Sequence, residues 1–187
     1  GRRRGAAAVG WRLTRRGVGD VARRGWVETR GGTHLQGSAW PGRGTAGVWG
    51  GWGRPEVWAS YADCATPSTI YSYDPAGNAL TVLRRSPVPL DTSRLRQRQV
   101  WFASADGTRV PLFLLERDDA DHAGPRPLLL TGYGGFNVSM RPGFATTYAL
   151  WALSGGAVAV PNLRGGGEFG RAWHEAGMGD RKQNVFD

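Results

Sequence analysis

From Val57 onward, apolar and polar positions alternate in short runs. A period of two held over four to eight residues predicts strands rather than helices. The stretch VWASYADCATPSTIYSYDPAGNALTVLRRS predicts strands at 57–61, 69–73 and 79–83. Between the last two, DPAGN combines a proline that presets φ with glycine and asparagine that tolerate positive φ, a turn signal. Three short antiparallel strands cannot bury a face by themselves, so residues 56–86 require neighbours. The following segment, SPVPLDTSRLRQRQ, has two prolines and mixed charge, and residues 87–99 read as a linker.

Beyond the linker, VWFASADGTRVPLFLLERDD predicts a hairpin with strands at 100–104 and 109–115. Asp106-Gly107 is a strong signal for a tight turn because primed turns need positive φ. An apolar run at Leu128–Leu130 predicts a strand, FATTYALWAL predicts a helix over 144–153 ended by Gly155-Gly156, and AVAVPNL predicts a strand over 157–163. Strand, helix, strand with runs apolar on both faces predicts a parallel sheet covered on both sides. A surface helix is expected to begin in RAWHEAG, interrupted at Gly177 and Gly179.

Composition divides the chain differently. Residues 1–55 carry eleven arginines against Asp20 and Glu28, which accounts for the whole net charge of +9. The same segment holds fifteen of the 30 glycines and five of the nine tryptophans. Such an arm could bind nucleic acid or other anions through phosphate pairing and base stacking. This non-catalytic reading is the alternative to the one developed below. However, its apolar residues keep neither a 3.6 nor a 2.0 period, and no RNA-binding module is recognisable. One lysine, Lys182, stands beside twenty-three arginines, a bias expected of a GC-rich coding sequence. Residues 1–55 are therefore expected to be a disordered basic segment, or one read out of frame, and a nucleic-acid partner is not expected. The single cysteine, Cys64, excludes an internal disulfide framework and makes a reducing compartment the default. No run of eighteen apolar residues occurs, so neither a membrane span nor a membrane partner is expected.

Candidate chemistry concentrates after the 128–130 strand. In TGYGGFN, Gly134 and Gly135 would let the backbone turn sharply and approach a substrate, with Gly132 shaping the entry. The C-terminal end of a buried strand is where open α/β sheets place ligands. A phenol delivered there can donate its hydroxyl hydrogen to a developing alkoxide. A tight turn carrying a packed tyrosine is the other reading of the same residues. In NLRGGGEFG no Lys-Ser/Thr follows the glycines, so a nucleotide-binding loop is not expected. Arg164 and Glu168 are expected to pair across that turn and hold it shut. His174 beside Glu175 lacks any H-x-x-x-H or cysteine partner, and no metal site is expected among His34, His122 and His174.

Taken together, LLLTGYGGFNVSMRPGF and GGAVAVPNLRGGGEFGRAWHEAGMGDRKQNVFD closely resemble the prolyl oligopeptidase family of serine peptidases. The resemblance extends back to about Val57. It implies an α/β fold: the N-terminal part of an α/β-hydrolase domain over residues 100–187, preceded by the last antiparallel strands of a β-propeller over residues 56–86. It also implies cleavage of short proline-containing peptides after proline through an acyl-enzyme, with no metal or organic cofactor, in the cytoplasm. Tyr133 matches the family's oxyanion-stabilising tyrosine, and Phe136 matches a residue lining the proline pocket. The family's nucleophile lies in a GGSNGG block, and its aspartate and histidine follow later. Here G-x-S-x-G occurs nowhere: Ser38, Ser139 and Ser154 lack the flanking glycines. The 187-residue chain is therefore expected to be inactive alone.

Overall fold

Val57, Ala59 and Tyr61 are buried while their neighbours are half-buried, the two-residue alternation of a strand with one face on a core. A computed structural model describes residues 8–16, 20–28, 44–50, 57–74, 79–120 and 124–187; over 8–16 and 20–28 it is the backbone that is described. The chain divides into two compact units, Gly1–Ala62 with Ser68–Pro87, and Asp63–Pro67 with Val88–Asp187.

In the first unit, β1 (Ala8–Arg16) and β2 (Asp20–Glu28) form an antiparallel pair. A separate sheet contains β3 (Thr45–Gly50), β4 (Val57–Ala62), β5 (Thr69–Asp74) and β6 (Ala79–Arg85), antiparallel throughout and in chain order. Ala59, Tyr61 and Tyr71 are its buried centre, with Ala46 and Leu80 packed against them. β4, β5 and β6 occupy the positions expected from the alternation. β3 was not expected: it falls within the segment read as disordered, yet pairs with β4 from Thr45↔Ala62 to Gly50↔Val57. It supplies the neighbour that three strands lacked. TAGVWG carries two glycines, and its strand state comes from the ladder offered by β4 rather than from propensity. Residues 1–7, 17–19, 29–43 and 51–56, and the arginine side chains on which anion binding by the arm would depend, lie outside the described residues, as does the Pro75–Asn78 part of the DPAGN turn.

The second unit opens with Asp63, whose Oδ1 accepts from Ala65 N at 2.8 Å and Thr66 N at 2.6 Å. A short 3-10 turn, Thr92–Arg94, is capped by Asp91, and β7 (Leu95–Ala103) follows at once. β7 thus begins inside the stretch expected to be a linker. Leu95 is buried and lies opposite Arg117 on β8 (Arg109–Arg117), so the hairpin ladder extends well before Val100. The turn between them is as expected: Gly107 has φ 80°, and Thr108 N donates to Asp106 Oδ1 at 2.9 Å.

β9 (Leu128–Leu130), α1 (Thr146–Leu153) and β10 (Ala157–Pro161) complete the unit. The sheet order is β7-β8-β10-β9; β10 runs antiparallel to β8 and parallel to β9. The strand–helix–strand unit pairs in parallel as expected, and the sheet as a whole is mixed because the β7–β8 hairpin contributes half of it. Ala149 and Ala152 of α1 are fully buried, small enough for the helix to lie close on Leu115 and Val158, with Leu95 and Cys64 in the same cluster. Burial pushes the Cys64 thiol up to about 11. β9 stands at the end of the sheet, and Leu128, Leu129 and Leu130 remain 55%, 38% and 65% exposed. Their apolar run reads like a buried strand, but among the described residues nothing pairs with its outer edge.

Among the described residues, no helix is long and apolar enough to cross a membrane. No cluster of three or more His, Cys, Asp and Glu among them is arranged to hold a metal.

Candidate active site: the glycine corner after β9

The ladder of β9 continues one residue, with Thr131 N donating to Ala159 O at 2.9 Å, and the chain then leaves the sheet at Gly132. A Cβ on Gly132 would lie 2.9 Å from Leu163 Cδ1 and 3.2 Å from Pro161 Cγ. Gly134 is more tightly constrained. Its φ is 60°, and a Cβ there would meet Val185 Cγ1 at 2.5 Å, Leu163 Cβ at 2.8 Å and Arg164 O at 2.9 Å. Only glycine satisfies both the left-handed backbone and the missing space. Gly135 differs from the expectation. Its φ is not left-handed, and a Cβ would find only ordinary contacts at 3.8 Å (Lys182 Nζ) and 3.9 Å (Tyr133 Cε1). The sharp turn depends on Gly134 alone of that pair.

Two non-glycine residues follow in left-handed conformation, Phe136 at φ 49° and Asn137 at φ 57°. Such residues cost of order 1–3 kcal/mol each and persist only where surroundings over-determine them. Here Asn137 N donates to Gly165 O at 3.1 Å, and Val138 N to Gly135 O at 3.0 Å. The result is a corner that holds Tyr133 half-exposed and Phe136 86% exposed, their ring centroids 6.5 Å apart and tilted by 31°.

The 162–168 turn is what the corner rests on. Trp173 Nε1 donates to Leu163 O at 3.1 Å, Gly165 N donates to Trp173 O at 3.0 Å, and His174 Nδ1 lies 2.7 Å from Gly165 O. His174 thus serves the turn. The expected Arg164–Glu168 pair does not form. Arg164, 4% exposed, turns instead to the β7–β8 hairpin, where Nη2 donates to Ser104 Oγ at 2.6 Å and Nη1 pairs with Asp106. That guanidinium, followed by the Thr108 N–H, draws the Asp106 carboxyl down to about 2. Glu168 points the other way: its Oε1 accepts from Met140 N at 2.7 Å and Asn162 Nδ2 at 3.2 Å. Each charge finds a nearer partner on a different side of the turn, so both hold it, but separately. Lys182, which pattern reading missed, donates from Nζ to Gly134 O at 2.6 Å. The two residues are 48 apart in the chain, so no local signal links them.

The arrangement presents a phenol hydroxyl and an exposed phenyl ring at the C-terminal end of a sheet strand, on backbone that cannot relax freely. A rigidly posed neutral donor beside an apolar surface can stabilise negative charge on an acyl oxygen while an apolar side chain packs alongside.

Comparison with known proteins gives the same direction. Residues 142–187 match the model of the prolyl oligopeptidase family. The prolyl endopeptidase of Elizabethkingia miricola is 38% identical over 148 residues, covering 79% of this chain and 21% of that protein. Prolyl oligopeptidase A of Amanita bisporigera is 38% identical over 138 residues, covering 71% and 18% respectively. The chain thus spans about a fifth of the length of these curated relatives. Among solved structures, one from an analysis of two prolyl endopeptidases superposes with a TM-score of 0.75 at 38% identity, covering 88% of this chain and 24% of that one. Prolyl oligopeptidase B from Galerina marginata, bound to a 35mer hydrolysis and macrocyclization substrate, gives 0.77 at 31% identity, again over 88% and 24%. With relatives 38% identical over most of its length and a matching family model over residues 142–187, the chain belongs to the prolyl oligopeptidase family of serine peptidases.

Proposed function

We propose that residues 128–187 form the oxyanion corner and one wall of the proline pocket in a serine-type endopeptidase that cleaves short peptides after proline. The observation that carries this reading is Tyr133, half-exposed on a corner whose backbone is otherwise tied down. When a serine attacks the scissile carbonyl, its oxygen gains a full negative charge. The Tyr133 hydroxyl donates to that oxygen, and it does so without prior rearrangement because the loop is already held. Phe136, exposed beside it, offers a flat apolar face suited to a pyrrolidine ring. The α/β-hydrolase and β-propeller identities of the two units belong to the same proposal: a four-stranded antiparallel sheet in chain order is the form of a propeller blade. So does a cytoplasmic site of action, in keeping with one buried thiol. Serine, aspartate and histidine of a triad are not supplied by residues 1–187, and the purified chain is expected to leave a Gly-Pro chromogenic substrate intact.

The test is a chimera in which residues 100–187 replace the matching segment of the E. miricola prolyl endopeptidase. The chimera is expected to hydrolyse the Gly-Pro substrate, and Tyr133→Phe in it to lower kcat by about 10²–10³ with little change in KM, the usual effect of losing one oxyanion donor. A Tyr133→Phe chimera that turns over as fast as its parent refutes the oxyanion role.

A further inference from the structure

We propose that Lys182 is a positioning residue for the reaction, acting on Tyr133 through the carbonyl of Gly134. The proposal rests on the peptidase reading above. Gly132, Gly134 and Gly135 surround Tyr133 in sequence, and glycine-rich backbone has wide conformational freedom. A hydroxyl that must sit within 2.7–3.1 Å of a transient oxyanion cannot tolerate that freedom. Two of the bonds that remove it, Asn137 N to Gly165 O and Val138 N to Gly135 O, act after the corner. The Lys182 bond acts at the residue next to Tyr133. Because the peptide unit is planar, holding the Gly134 oxygen also fixes the orientation of the Gly135 N–H and the plane between them.

The bond is 2.6 Å long and charge-assisted, the stronger class of hydrogen bond. The ammonium is held in place from a second side, with Nζ 5.6 Å from the centroid of the Phe186 ring. The ammonium and the Tyr133 ring both border Gly135, where an added Cβ would lie 3.8 Å from Nζ and 3.9 Å from Tyr133 Cε1. Residue choice agrees. Lys182 is the one lysine in a chain with twenty-three arginines. An ammonium on a flexible stem suits a single carbonyl, whereas a planar guanidinium fork is built for paired acceptors.

The experiment uses the same chimera, with Lys182→Met, Tyr133→Phe and the double variant. Steady-state kinetics are read together with hydrogen exchange of the Asn137 and Val138 amides. Lys182→Met is expected to lower kcat about tenfold, as loss of a charge-assisted bond that orients the donor would. KM should stay within about twofold of the parent, since the contact is not to substrate. Exchange at the two amides should quicken at least about tenfold. In the Tyr133→Phe background the same substitution should cost nothing further, because the group being positioned is gone. An equal kcat loss in both backgrounds would assign Lys182 a general structural role and overturn the proposal. So would full kcat in Lys182→Met beside a crippled Tyr133→Phe, an outcome that leaves the peptidase reading standing. An inactive parent chimera defeats the peptidase reading instead; exchange then decides, and unchanged or absent protection at Asn137 and Val138 rejects the Lys182 anchor.

Discussion

Gly134→Ala and Gly135→Ala are the same chemical change at adjacent positions, and the structure assigns them opposite outcomes. At Gly134 the added methyl meets Val185 Cγ1 at 2.5 Å, Leu163 Cβ at 2.8 Å and Arg164 O at 2.9 Å, on backbone with φ 60°. Left-handed backbone costs an L-residue about 1–2 kcal/mol. Overpacking a closed site adds about 1–3 kcal/mol. The last neighbour is a backbone oxygen, which cannot step aside as a side-chain tip can, so a total of about 2–5 kcal/mol is expected for the local corner. At Gly135 the methyl meets its neighbours at 3.8 and 3.9 Å, ordinary contact distances. Loss of glycine's unfolded-state entropy then makes the substitution neutral, or stabilising by up to about 1 kcal/mol. The assay is hydrogen exchange by mass spectrometry on a peptide spanning 132–140 in the chimera. At about 1.4 kcal/mol per decade, Gly134→Ala should speed exchange of the protected amides by about 30- to 4,000-fold and Gly135→Ala should leave it unchanged or slower. Equal acceleration by both, or the reverse order, refutes the claim that a steric fit at Gly134 sets the corner.

Two further expectations concern charge. Asp106 is held near about 2 by the Arg164 guanidinium and then by the Thr108 N–H. A depressed carboxylate contributes stability above its ordinary value of 3.8 and loses it as pH falls toward about 2. Acid titration followed by tryptophan fluorescence should therefore show a loss in that window that Asp106→Asn flattens; an identical acid limb in the variant would show that the pair does not matter. Glu116 is 1% exposed and bonded to both Arg98 and Arg126. Burial alone would raise its carboxyl, but the two guanidiniums win and lower it. Glu116→Ala strands a half-covered Arg126 and is expected to cost about 3–5 kcal/mol in urea unfolding, whereas a loss below about 1 kcal/mol would place the cluster with exposed ion pairs.

How much of this was legible beforehand depends on the range of the physics involved. The Asp106-Gly107 turn, the strands at Val57, Thr69 and Ala79, the α1 helix and the position of Tyr133 at the end of an apolar strand all follow from preferences expressed within a few neighbouring residues. Those were readable, as was family membership, which rests on long ordered strings of residues. What the amino-acid order could not disclose were choices among partners distant in the chain. Arg164 and Glu168 lie four apart and look like a pair, yet Ser104 and Asp106 claim one while Met140 and Asn162 claim the other. TAGVWG has weak strand propensity and becomes β3 because β4 offers it a ladder. Leu128–Leu130 reads as interior and stands at a sheet edge, since the order of strands is set by packing rather than by local composition. Gly134 and Gly135 are indistinguishable as letters, and only the backbone of residue 164 and the side chains of Leu163 and Val185, brought in by the folded chain, make one indispensable and the other replaceable.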